Sequence, residues 1–300
     1  MMLATPSAGV IERTRGAVRR SVVRGQLQAI AAGKSESLTF DLDSAALDVA
    51  ALVRQATAGH RPGSVAHQRL AAAFQRSGIA DVVVDRLAAT DALQRIRSAQ
   101  LAGALGLAHA VPWITPLLSA QEPAVRDAAS RALGRIGGAA SAVALLRAIR
   151  RDRPTRTLIV ELARAAPDLF LETALCSPKR AGTRAAVVIA AGLRGRRAAV
   201  SPLLSVLASG NRRERAAACR ALGWIKAEIA LPTVAASLGD SDWKVRMSAI
   251  KALTRLGGDA YVFELEALRS DPDPRVRRTG RIATHRLLNK AARPWKWEWR

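Results

Sequence analysis

Four histidines, two cysteines and scattered carboxylates are the residues of this 300-residue chain from which catalysis or metal binding could be built. His60, His67, His109 and His285 are not followed by Glu, either directly or three positions on, so no di-iron centre or zinc site can be assembled from them. Asp41-Leu42-Asp43 has no strand or partner ligand beside it. It reads instead as the cap of a helix over roughly 45–57, with Asp43 or Ser44 at the N-cap. Cys176 and Cys219 lie in apolar segments and read as buried small hydrophobes. Two cysteines in a chain of this length fit a reducing compartment rather than a disulfide scaffold. Gly137-Gly138 and Gly257-Gly258 close helical segments as C-caps and do not form a phosphate-cradling loop. The expectation is a protein with no catalytic residue, cofactor or metal.

What remains is charge. A formal net charge of +23 predicts attraction to polyanions: nucleic acid, an acidic protein surface or anionic lipid. Abundant Arg and Ala are also what a GC-rich bacterial genome produces, a second source of the same excess. Residues 176–226 concentrate cations against Glu214 alone, with Arg194, Arg196, Arg197, Arg212 and Arg213 as the candidate basic surface. In the tail, Trp295, Trp297 and Trp299 alternate with charged residues, so an extended segment would gather the indoles on one face. That face suits a lipid interface, base stacking, a partner groove, or folding back over the end of the chain. A basic helix over 10–31, with Ile11, Val18, Val22 and Ile30 on one stripe, is open to the same two uses, docking or capping.

These features need a framework, and the framework repeats. Leu105, Leu133, Leu162, Leu193, Leu222 and Leu253 recur at intervals near thirty residues, the period of stacked helix pairs. Residues 125–138 read VRDAASRALGRIGG, 213–226 read RERAAACRALGWIK and 244–258 read KVRMSAIKALTRLGG. The hydrophobic fraction is 49% but only 4% of residues are aromatic, a small-side-chain composition that lets helices pack closely. The 3.6-residue pattern predicts first helices over 64–76, 92–106, 122–136, 154–165, 181–193, 211–224 and 242–256. Second helices follow over 79–89, 110–119, 139–151, 167–175, 197–208, 228–237 and 259–269, and a last helix over 274–289. Pro112, Pro202 and Pro232 fall in first turns, where a missing N–H costs nothing. The fold class is therefore all-α, an α-solenoid of antiparallel helix pairs. Its expected divisions are a basic helical region 1–62, a repeat array 63–290 and a Trp-rich tail 291–300.

The Asp-rich turn, the Val-Arg opening, the central Ala-Ala and the closing Leu-Gly-x-Ile-Gly resemble HEAT-type repeats of the bacterial phycobilisome-lyase-like class, best over 121–138. The resemblance implies that second helices form the partner-binding concave side. It makes Trp113, Ile114, Leu203, Val206 and Val234 the candidate partner contacts. It also implies that the Arg after Val pairs with a turn Asp, Arg246 with Asp240 or Asp242 and Arg277 with Asp271 or Asp273. A related hydroxylase holds two irons with His-Glu pairs that are missing here, and nothing matches the active-site segment of the related alkylpurine DNA glycosylases. The function expected is a protein-interaction scaffold. The alternatives are nucleic-acid binding through the basic surface, or a lyase-like chaperone subunit. With no 18-residue apolar run and no secretory leader, the expected location is the cytoplasm, at most peripheral to a membrane.

Overall fold

The computed structural model describes residues 8–39, 42, 48–60, 63–152, 154–176 and 181–291, and no strand occurs among them. The chain divides into two compact units, residues 1–148 and 149–300. The first holds α1 (Ala8–Ala31), α2 (Val49–Ala56), α3 (Val65–Arg76), α4 (Ile79–Asp85), α5 (Ala92–Leu105), α6 (Val111–Ile114), α7 (Pro123–Ile136) and most of α8 (Gly138–Arg151). The second holds α9 (Arg156–Ala165), α10 (Phe170–Cys176), α11 (Ala181–Arg194), α12 (Val200–Ser209), α13 (Arg212–Ile225), α14 (Leu231–Ala236), α15 (Trp243–Leu256), α16 (Val262–Ala267) and α17 (Pro274–Ala291). Every first helix of the repeats lies within two residues of the span its periodicity predicts. The division falls inside α8 rather than near residue 62, and in the first unit α1 packs on α3 and α2 on α5.

Local chemistry explains the boundaries. Asp91 starts α5 by accepting from the Leu93 and Gln94 amides, and Asp242 starts α15 by accepting from Lys244 N at 2.8 Å. Asn211 and Glu214 close a reciprocal capping box on α13. The N-cap of α2 is Asp48, which accepts from Ala51 N at 2.8 Å; Asp43 and Ser44 lie outside the described residues. Gly106 and Gly257 end α5 and α15 in the left-handed conformation, and Gly137 ends α7 at φ 71°. Lys226 holds the same place after α13 at φ 56° without a glycine's freedom. Between these helices several of the second helices are short. Residues 228–239, for example, run as a 3-10 turn, six residues of α14 and another 3-10 turn.

Consecutive first helices meet backbone to backbone. A Cβ added at Gly103 would stand 2.7 Å from Ala132 Cα, one at Gly192 2.6 Å from Ala221 Cα, and one at Gly223 2.9 Å from Ala252 Cα. Each pair is 29 residues apart, so α5–α7, α11–α13 and α13–α15 are packed by one repeated device. It also corrects the leucine series: Leu193 is 47% exposed, and the buried position of α11 that matches Leu222, 31 residues on, is Ala191.

Arginine clasps tie three of the first helices, α5, α13 and α15, to the next turn. Arg215 on α13 grips Asp240 with two hydrogen bonds of 2.7 and 2.9 Å, and Arg246 on α15 grips Asp271 at 2.7 and 2.8 Å. In the first unit Arg95 reaches Glu122 at 2.9 Å. The pairing expected for Arg246 is thus corrected. Its carboxylate partner is Asp271 in the following turn, while its Nη1 donates to the Asp240 and Ser241 carbonyls behind it. Arg277 likewise donates to the Asp271 and Pro272 carbonyls rather than to a carboxylate. Arg246 thus reaches backward to carbonyls and forward to a carboxylate, whereas Arg277 keeps only the backward bonds.

Packing, capping and the clasps each have a testable consequence. Gly223→Ala should raise helix propensity yet lower stability by about 1–3 kcal/mol, because a methyl group must displace the Ala252 backbone. Lys226→Gly should instead stabilise by about 0.5–1 kcal/mol, by relieving a left-handed non-glycine residue. Urea unfolding of the two variants, run side by side, reads both signs. For the clasps, the Arg246 hydrogen bonds hold the Asp271 carboxyl below the usual carboxylate range. At Asp240 burial pushes upward, but the bonds from Arg215 and the Asp242 amide outweigh it and the net direction is also down. Their contribution is fully present above the unfolded value of about 4 and is lost as pH falls through the lower folded value. Asp271→Asn should cost on the order of 3 kcal/mol at pH 7. Its gap to the unsubstituted protein should close below about pH 4; a gap unchanged at pH 3 would contradict the assignment.

Candidate partner-binding groove

The same 31-residue register that stacks the first helices aligns their outward residues. Ala185, Ala216 and Met247 form one row across α11, α13 and α15, and Ile189, Arg220 and Lys251 form another. Small residues in the first row leave a hollow where larger ones would fill the surface. The result is a groove of about 550 Å³ in the second unit, running from Pro154 and Ile159 at α9 to Trp243 on α15. Its floor is apolar and its rim cationic.

Five cations line it, Arg212, Arg213, Arg220, Lys244 and Lys251, against one carboxylate, Asp242. That carboxylate is already engaged as the α15 cap and lies 3.9 Å from Arg212. Arg220 is half-buried; its Nε donates to Ala216 O at 3.2 Å, and it makes no ion pair among the described residues. Burial pulls its guanidinium below the ordinary arginine value, although it remains a cation at neutral pH. Trp243 carries the Arg275 guanidinium 3.4 Å from its ring centroid and the Lys244 ammonium at 5.3 Å. Arg275 is itself held by Asp273 at 2.8 Å, and that bond lowers the Asp273 carboxyl to about 2. The Trp243 wall is therefore fixed in advance.

The basic residues singled out from sequence separate. Arg212 and Arg213 line the groove. Arg194 and Arg196 are occupied elsewhere: Arg194 lies 3.7 Å from Asp168, and Arg196 pairs with Asp168 and lies 3.5 Å from Glu172. Arg197 is exposed at the start of the 197–209 segment.

The apolar partner contacts require correction. Ile114, Leu203, Val206 and Val234 are all 0% exposed and belong to the core. Ile114, Leu203 and Val234 hold one register position in their second helices, the one turned against the first-helix layer. Trp113 alone of the five is available, half exposed on α6. Trp295, Trp297 and Trp299 lie outside the described residues. Arg220, Trp243, Met247 and Lys251, which the sequence reading did not select, are brought together by the structure. The 31-residue spacing of 189, 220 and 251 is the signal that could have found them.

The cysteines differ from each other. Cys219 on α13 is fully buried, and burial pushes its thiol up to about 12, whereas Cys176 is exposed, contrary to the expectation that both are core residues. Among the described residues no group of three His, Cys, Asp or Glu side chains could hold a metal, and no helix is long and apolar enough to cross a membrane. A thiol-reactive chromophore at pH 8 should therefore titrate one thiol in the native protein and two in denaturant. Two fast thiols in the native state would place Cys219 at the surface.

A family model described as HEAT repeats matches residues 80–165, 170–253 and 200–283. Among solved structures, the chain is similar to the complex of CpcE and CpcF of phycocyanin lyase from Nostoc sp. PCC7120, at 20% identity and TM-score 0.37. That match covers 60% of this chain and 65% of that one. Human deoxyhypusine hydroxylase in complex with glycerol matches at 20% identity and TM-score 0.36, over 93% of this chain and 99% of that one. Kap121p matches at 12% identity and TM-score 0.41, over 91% and 37%. No curated protein matches the chain.

Proposed function

Since this chain belongs to the HEAT-repeat family, we propose that it is a non-enzymatic, cytoplasmic interaction scaffold whose first-helix groove in the second unit holds part of a protein partner. Stacked repeats generate extended binding surfaces by construction. The observation that carries the reading is the pairing of an apolar floor with a cationic rim in which Arg213, Arg220 and Lys251 have no carboxylate partner among the described residues. Apolar burial supplies affinity, and the rim steers encounter with an acidic partner. A nucleic acid would be served less well, because an apolar floor offers its phosphates nothing. The proposed surface lies on the first helices, since the apolar residues of the second helices named above are, apart from Trp113, consumed by the core.

Mutation separates the groove from the rest of the surface. Met247 is partly exposed in the groove, and Phe263, 82% exposed on α16, is not among its lining residues. Tagged full-length protein should retain a stoichiometric protein partner from its own cells after nuclease treatment. Met247→Glu should weaken that retention about 10- to 100-fold, equivalent to about 1.4–2.7 kcal/mol, while Phe263→Glu should leave it intact. Undiminished retention by Met247→Glu, or partners that all vanish with nuclease, would overturn the proposal.

A further inference from the structure

We infer that the groove's occupant is an acidic amphipathic α-helix of the partner protein, lying from α9 across α11, α13 and α15 with its apolar stripe on the Ala185–Ala216–Met247 row. The inference rests on the scaffold reading and adds the shape and charge of what is bound.

Width is the first argument. Arg213 and Arg220 on α13 are seven residues apart, as are Lys244 and Lys251 on α15. Seven residues of helix span about 10 Å, which is also the diameter of an α-helix with its side chains, about 10–12 Å. Two cationic rows thus stand one helix-width apart with the apolar row between them. A single helix laid crosswise would put its stripe on the floor and its flanks against both rows.

Length is the second. The groove crosses α9, α11, α13 and α15, and packed helices stand about 8–10 Å apart, so it runs about 25–30 Å. A helix of about 16–20 residues covers that distance. A compact small molecule does not span that distance, and an apolar floor of this length is wasted on a phosphate chain.

Charge and rigidity complete the case. Arg213, Arg220 and Lys251 have no carboxylate partner among the described residues, so a partner's Glu and Asp side chains meet cations free to bond. These are charge-assisted bonds, the stronger class. Trp243, stacked under Arg275, offers a fixed aromatic wall at one end and lowers the ordering cost of binding. The mode is a helix seated in a groove through anchors at i, i+3 or i+4, and i+7.

The test uses full-length protein and a fluorescein-labelled 18-residue helix-forming peptide, with a leucine stripe flanked by Glu, read by anisotropy at 150 mM salt. The comparison ligands are a scrambled peptide of identical composition, a Lys-flanked version, oligo-dT, and phosphatidylserine-containing vesicles. The striped acidic peptide should bind at least ten-fold more tightly than its scramble and more tightly than any other probe. Arg220→Ala with Lys251→Ala should weaken it about ten-fold. Lys251→Glu alone, at an exposed site where folding is not at risk, should also weaken it. Equal binding of stripe and scramble, or indifference to the Lys251 variant, overturns the inference. So does tighter binding of oligo-dT or vesicles with the same Arg220 dependence. The scaffold reading fails separately, when the natural partner is retained by Met247→Glu. If that retention is lost while stripe and scramble bind alike, the groove is right and the helix is wrong.

Discussion

The separation between successive first helices is the constraint on which everything else in the second unit rests. At Gly192–Ala221 and Gly223–Ala252 a glycine backbone meets the backbone and Cβ of an alanine, so helix spacing is set by main-chain atoms and a single methyl group. A rigid spacing is what allows residues 31 apart to form straight rows. Were larger side chains to hold these helices apart, Ala185, Ala216 and Met247 would not make a continuous floor. The alanine-rich composition is thus the material from which both the stack and the groove are made.

Angle is fixed by a second set of interactions. Arg215 and Arg246 each bond backward to a carbonyl of their own turn and forward to the carboxylate of the next, so one planar side chain bridges two repeats. Arg215–Asp240 and Arg246–Asp271 differ by 31 residues at both ends, the register of the groove rows. The turn aspartates carry further duty. Asp240 and Asp271 also accept from the amides of Asp242 and Asp273, fixing the turns from which α15 and α17 start. Acidic residues in this arginine-rich chain are therefore largely committed to architecture.

That commitment explains what sequence could and could not disclose. Helix boundaries were legible because caps and periodicity are local: Asp91, Asn211 and Asp242 announce starts, and Gly106, Gly137 and Gly257 announce ends. Facing was not legible. Ile114, Leu203 and Val234 were read as an apolar binding surface, yet an apolar residue in a short second helix is first needed to cover the first-helix layer. Leu193 misled in the opposite sense, being a leucine beside the repeat position rather than at it. Both errors come from reading residue type before register, which a strict 31-residue alignment of α11, α13 and α15 would have supplied.

Charge needed the same treatment. A net charge of +23 says that cations exceed anions but not which of them are spent. Arg215 and Arg246 are spent on clasps, Arg196 on Asp168 and Glu172, and Arg275 on Asp273 and Trp243. Arg220 is the informative case. A guanidinium that is half-buried without a carboxylate bears a desolvation cost that an exposed arginine at the same helix position would avoid. Residues placed for solubility alone point into water. One held beside an apolar floor, with its counter-charge missing, gains its full interaction only when something anionic and partly apolar arrives. On the proposed reading, the excess charge acquires functional meaning beside that floor, and the surrounding repeats hold it there.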